Sequence, residues 1–138
     1  MIIAQDFTVE TQGHGDTIDI TPEVARRVES AGVERGLVTV FVAGSTAAGT
    51  TMEYESGLVA DIKEAWERLA PKGIPYRHDQ RWGDGNGYAH LRASFLGPSL
   101  TIPIVEGTPA LGTWQQVVLI DFDNRPRRRQ VLIQIVGE

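Results

Sequence analysis

The 138-residue sequence contains no cysteine. That excludes disulfides, thiolate metal ligands and a cysteine nucleophile. A reducing compartment suits such a chain, and a cytoplasmic location is expected. An excess of positive charge is also missing: 13 Lys and Arg stand against 18 Asp and Glu, a net charge of −5. Nucleic-acid binding needs a basic face to neutralise phosphates, so no nucleic-acid partner is expected. The one basic run, RPRRR at 125–129, is local. No apolar stretch approaches the ~20 residues of a membrane span, so no membrane partner is expected. The opening MIIAQDFTVETQG lacks the basic start, long apolar segment and small-residue cleavage site of a signal peptide. Repeats, linkers and low-complexity tracts are absent too. What is present is ordinary for one globular domain over 1–138: 41% hydrophobic and 22% charged residues, with length enough for a core without staples.

Periodicity gives the elements. Residues 2–10 alternate as a strand, TQGHGD turns, and Thr17–Ile20 is a short second strand. Thr21-Pro22 starts a helix, with Thr as the cap and Pro in the first turn, running over 22–31 to Gly32. GLVTVFVAG (36–44) is a buried strand, and STAAGTT continues as strand or loop. Ser56–Leu69 is a second helix: Leu58, Ile62, Ala65, Trp66 and Leu69 share a face, and Pro71 and Gly73 close it. YAHLRASFLG (88–97) reads as a third, short helix. SLTIPIVEG and TWQQVVLIDFD are strands joined around Glu106–Leu111, and RRQVLIQIVG is the last. Such runs predict an α+β fold, mainly antiparallel sheet packed with two to three short helices.

Four stretches could carry chemistry. HDQRWGDGNGYAH (78–90) offers His78, Asp84 and His90, side chains that ligate zinc or similar divalent ions. Three ligands would leave a position open for water or substrate. Asn86 could hold a neighbouring ligand, and the glycines let the backbone turn; the alternative is a surface loop whose Asp and Asn only make turns. GSTAAGTTMEYE (44–55) starts like a phosphate loop but lacks its Lys, which rules that motif out. Its hydroxyls, Ser45 and Thr46 first, could still hold a phosphate, and Glu53 could act as acid, base or ligand; the alternative is a Thr-rich strand with solvated glutamates. In LGTWQQ (111–116), Trp114 could wall a site for a flat ring or pack in the core. Gln115 and Gln116 lie in a strand pattern and must point to opposite faces. In RPRRR most arginines should be solvated, with one or two left as phosphate clamps.

SLTIPIVEGTPALGTWQQV (99–117) resembles the signature of the YjbQ-like family, also called secondary thiamine-phosphate synthases. A Ser is followed by alternating aliphatics towards a Gly and, after four further residues, by Gly-Thr-Trp-Gln. Here these are Ser99, Ile102, Ile104, Gly107, Gly112, Thr113, Trp114 and Gln115. STAA with a following Glu, HD, D-G-N, H and S-x-L-G-x-S, and the closing QIVGE extend the similarity from about Gly36 to Glu138. The resemblance implies a compact α+β homotrimer with sites near subunit contacts. It also implies a weak activity joining a pyrimidine methyl diphosphate to a thiazole phosphate, giving thiamine phosphate and pyrophosphate. A small phosphorylated ligand and a divalent metal, Zn or Mg, are the expected partners. The family's shared polar positions fall on Ser45, Thr46, Glu53, His78, Asp84, Asn86, His90, Ser94, Thr113, Trp114 and Gln115. Of these, Glu53, His78, Asp84 and His90 are the expected catalytic groups, and His78, Asp84 and His90 the metal ligands. The others are expected to bind substrate. Two departures stand out. Gly44 replaces a His frequent in the family, which removes a possible ligand or base. Met52-Glu53-Tyr54 stands where Asn-Glu-Asn is common. A metal-dependent hydrolase and a non-enzymatic trimeric binding protein are the alternatives.

Overall fold

The computed structural model describes residues 1–138 as an α+β domain of eight strands and four helices. β1 (Ile2–Thr11), β8 (Arg127–Gly137), β3 (Arg35–Val42), β5 (Ser99–Val105) and β6 (Thr108–Pro109) form one antiparallel sheet in that order. β2 (Asp16–Asp19), β7 (Gln116–Asp121) and β4 (Ala47–Met52) form a second. No helix is long and apolar enough to cross a membrane.

The two-residue strand period explains how these sheets stack. On the larger sheet Val38, Val40, Val42, Ile102, Ile104, Val131, Ile133 and Ile135 are buried. They meet Val117 and Leu119 of β7 and Val24 and Val28 of helix α1 (Thr21–Ala31) in one apolar cluster. The residues between, Val118 and Ile120, face the other side of β7. There they join Ala48 and Met52 of β4 under helices α2 (Ser56–Leu69) and α4 (Gly87–Leu96). β7 is therefore covered on both faces, which is why VVLI is an unbroken apolar run. The outer face of the larger sheet is exposed. Its register sets Leu37 beside Val136 and Phe41 beside Leu132, all four exposed.

Local chemistry fixes most boundaries. α2 spans Ser56–Leu69 as its periodicity predicts, and Glu55 caps it by accepting from the amides of Gly57 and of Leu58, the latter at 3.2 Å. α1 ends at Gly32, whose φ of 68° suits glycine. Thr21 is not its cap. It is the first helical residue, and its Oγ1 instead accepts from the Val117 amide at 2.8 Å. Of STAAGTT, Ala47 onward resolves into β4, and Ser45 and Thr46 lie in the bend before it. A further helix, α3 (Arg77–Trp82), is too short to have shown a period in the sequence. Gln115 lies outside β7, in the turn before it.

Candidate functional site

The start of β4, the end of β7 and the first turn of α4 meet around buried polar groups. Asp121 accepts from Arg129 Nε and Nη2 at 2.7 and 2.9 Å and from Thr11 Oγ1 at 2.6 Å. Asp123 Oδ2 accepts from Arg127 Nε at 2.8 Å and Thr46 Oγ1 at 3.0 Å. Its Oδ1 accepts from Asn86 Nδ2 at 3.1 Å and the Asn124 amide at 2.8 Å. Burial alone would raise the Asp123 pKa. The hydrogen bonds from Asn86, Asn124, Arg127 and Thr46 outweigh it and hold the carboxyl at about 2. Asp123 is thus ionised, and each of the two carboxyl groups is matched by an arginine. Arg127 and Arg129 are therefore not solvated: the first is half-buried and the second buried.

This network presents a cleft of about 220 Å³ to solvent, lined by Gly44, Ser45, His90 and Ser94 among others. His90 and Ser94 come together because they are four residues apart on α4. Ser94 Oγ donates back to the His90 carbonyl at 2.8 Å. Gly44 has φ 133°, and a Cβ there would stand 2.8 Å from Arg129 Nη1. The turn therefore brings bare backbone against a guanidinium, and a side chain at 44 would require that arginine to move. Nη1 itself makes no hydrogen bond, since Arg129 spends Nε and Nη2 on Asp121 and Thr46.

Beside the cleft the His78 and His90 rings pack 4.2 Å apart between centroids, tilted by 36°. Burial lowers the His90 pKa below the ordinary histidine value, and the adjacent His78 adds to this. Asp123, Asp84 and Asp79 pull the other way. His90 is thus neutral near pH 7 and can accept a proton. His78 Nδ1 lies 3.6 Å from Asp79 Oδ1 and 3.7 Å from Asp84 Oδ1, too far for hydrogen bonds. It is out of contact with water and unpartnered, as is Asn86 Oδ1. Potential ligand atoms of His78, Asp79 and Asp84 lie within 4.8 Å of one another, so Asp79 stands in this set where His90 was expected. One imidazole and two carboxylates fit a divalent cation, and an orphaned ring nitrogen is the observation that favours one.

The structure thus gathers Ser45, Thr46, His78, Asp84, Asn86, His90 and Ser94. Glu53, Thr113, Trp114 and Gln115 lie elsewhere. Thr46 precedes β4 and Glu53 follows it, which separates them by roughly 20 Å at the usual rise per strand residue. At that far end Gln115 Nε2 donates to Thr51 Oγ1 at 3.1 Å, and its Oε1 accepts from the Gly112 amide at 3.0 Å. Gln116 Oε1 accepts from the Tyr54 amide at 2.9 Å. Both amides are satisfied locally. Trp114 is 73% exposed, so it is not a core residue. Sequence reasoning passed over Asp79 and Asp123 as site groups, and kept one or two arginines of RPRRR as phosphate clamps without singling out Arg129. Asp79 was signalled by its place next to His78 in a row of ligands. Asp121 and Asp123 were signalled as acids continuing a buried strand.

A profile of the UPF0047 protein YjbQ-like family matches residues 5–138. A UPF0047 protein of Archaeoglobus fulgidus is 42% identical over 129 residues, 94% of this chain and 98% of that one. The UPF0047 protein YugU of Bacillus subtilis is 30% identical over 130 residues, 94% and 96% of the two chains. Among solved structures, a YbjQ-like protein of unknown function from Sulfolobus solfataricus P2 superposes with a TM-score of 0.94 at 34% identity, covering 100% of this chain and 99% of that chain. A conserved hypothetical protein from Thermus thermophilus superposes with a TM-score of 0.76 at 32% identity, covering 94% and 99%.

Proposed function

This chain belongs to the YjbQ-like UPF0047 family, and on that premise we propose that it is an enzyme of phosphorylated small-molecule metabolism acting in the Ser45–His90–Ser94 cleft. The observation that carries this is the free Nη1 of Arg129 under Gly44, a residue that lines the same cleft as a neutral His90. A buried cation with an unused donor, bare backbone and hydroxyls together suit a phosphate oxygen. The neutral imidazole supplies a base at the same place.

The named reaction is thiamine phosphate formation. The thiazole nitrogen forms a bond to the pyrimidine's exocyclic methylene carbon. The carbon–oxygen bond to diphosphate breaks, and its electron pair leaves with pyrophosphate. His78, Asp79 and Asp84 would hold a divalent ion, which when bound would neutralise negative charge on the diphosphate. Arg129 would bind phosphate, Asn86 would orient a polar group through its free Oδ1, and Asp123 would position Asn86 and Thr46. The chain is read as a homotrimer, supported by the exposed apolar pairs Leu37–Val136 and Phe41–Leu132 on the open sheet face. Association would also offer a way to bring Glu53, Trp114 and Gln115 of one subunit to the His90 cleft of another.

Pure protein with both substrates and Mg²⁺ should form thiamine phosphate, and His90→Ala should not. Equal yield from the two would overturn the reading. Mixing Glu53→Gln and His90→Ala subunits should restore activity if the site is shared. Elemental mass spectrometry should find near-stoichiometric metal that is lost in His78→Ala.

A further inference from the structure

A second cavity, of about 220 Å³, lies on the other side of α4, between α2 and the His14–Gly15 turn. α2 covers the smaller sheet without fully burying any residue of its own, and that loose seat leaves the space open. The base of the cavity is apolar, with Trp66 against Phe122 edge-to-face at 5.2 Å. Its rim carries Lys63, Lys72 and Arg92, with Glu67 as its one carboxylate. In a protein of net charge −5 this is a local reversal of sign.

The cations are poorly compensated. Glu67 is taken by Arg92 Nη2 at 2.8 Å. Lys63 and Lys72 make no ion pair. Lys72 Nζ lies 5.7 Å from the Tyr88 ring centroid, and the Arg92 guanidinium carbon 4.9 Å from the same centroid. Two like charges thus share one ring. Arg92 Nε and Nη2 donate to the Ala70 carbonyl at 3.0 and 2.9 Å, which ties α4 to the end of α2. Nη1 makes no hydrogen bond. Trp66 forms part of the cavity wall; its Nε1 is shielded from water and unpartnered, so it lies behind that wall and reports on its packing. Two exposed lysines and a buried arginine with a single carboxylate among them, over an aromatic wall, describe a site for an anion with a flat apolar body.

We propose that this cavity is a second ligand site, for a small aromatic or similarly flat phosphate monoester. Its phosphate lies between Lys63, Lys72 and Arg92, and its ring lies against Trp66 and Phe122. A phosphate monoester is preferred to a carboxylate because three cations against one carboxylate leave two charges to match, and such a phosphate is close to dianionic at pH 7. The site does not depend on the His90 cleft: Arg92 follows His90 by two residues and so points to another face of α4.

The test is titration of ¹⁵N-labelled full-length protein with phenyl phosphate and with inorganic phosphate. It is followed at the Trp66 indole N–H, identified by its loss in Trp66→Phe. Phenyl phosphate should shift that signal saturably and bind at least tenfold more tightly than inorganic phosphate. In Lys63→Gln/Lys72→Gln, whose changes are on exposed side chains, affinity should fall at least tenfold. In His90→Ala it should stay the same, which separates this site from the proposed catalytic one. Phenyl phosphate should also raise the Tm of the wild type and not of the double variant. Absence of a saturable Trp66 shift, or equal affinity in the double variant, overturns the site. Equal affinity for the two phosphates overturns the aromatic half of the proposal.

Discussion

The two apolar clusters of this protein differ in what they leave unsatisfied. Between the sheets, fifteen buried residues from seven segments are all aliphatic. They close on themselves and carry no chemistry. Under the helices only eight are buried, among them Tyr88 and Phe122, and neither α2 nor α3 has a fully buried residue. On that side lie three of the four unpartnered buried atoms, those of Trp66, His78 and Asn86, the fourth being Arg27 Nε on α1; both proposed ligand cavities are there too. One side is closed by aliphatic contacts, although a cleft of about 540 Å³ opens beside it between α1 and the β5–β6 turn; the other side keeps more unmatched polar atoms. The buried Asp121–Asp123–Arg129 network joins them, because its partners come from β1 and β8 of one sheet and from β4, β7 and α4.

That division can be broken. The largest effect is expected at the joint: Asp123→Ala should cost about 4 kcal/mol, since it strands Arg127, Thr46 and Asn86. Urea unfolding checks this, and a loss below about 1 kcal/mol would mean the network is not what couples the sides. Next, Ile133→Ala in the sheet–sheet core should cost about 3 kcal/mol, whereas Ile62→Ala, half-buried on α2, should cost roughly 1 kcal/mol. Equal losses would erase the contrast.

Acid sharpens the same point. Asp123 has its folded pKa at about 2, below the ordinary value of 3.8. Its contribution is therefore full above about pH 4 and is lost as pH falls through about 2. The difference in unfolding free energy between wild type and Asp123→Asn should shrink by roughly 2 kcal/mol across that window. The smallest effect is local. His78→Gln should alter stability by less than about 0.5 kcal/mol and raise the His90 pKa, because His78 is one of the two influences that lower it. An NMR titration of His90 that moves downward instead would contradict the adjacency of the two rings.

Legibility from sequence followed the same divide. α2 was readable to its ends because its apolar stripe repeats over fourteen residues and Pro71 follows. β3, β5, β7 and β8 were readable because β-branched runs or alternation mark buried faces. α3 was not, since six residues hold too little period. Thr21 resembled a cap and turned out to bond β7, a partner 96 residues away. RPRRR looked like a solvated turn because the sequence does not show that the nearby Asp121 and Asp123 are buried and take up Arg129 and Arg127. In the candidate site, His78, Asp84, Asn86 and His90 were legible as a cluster because they are close along the chain. The separation of Glu53 and Trp114 from them was not, because it depends on the length and direction of β4.

The sequence by itself determined the class of fold, the family and the absence of thiol chemistry. These follow from composition, periodicity and short-range motifs, all of which act within a few turns of chain. The tertiary structure alone decided which charges are paired, which polar atoms are left without partners and which candidate groups meet across elements. Those outcomes depend on strands far apart in sequence meeting in one register, and on burial, which multiplies the consequence of every unmatched charge.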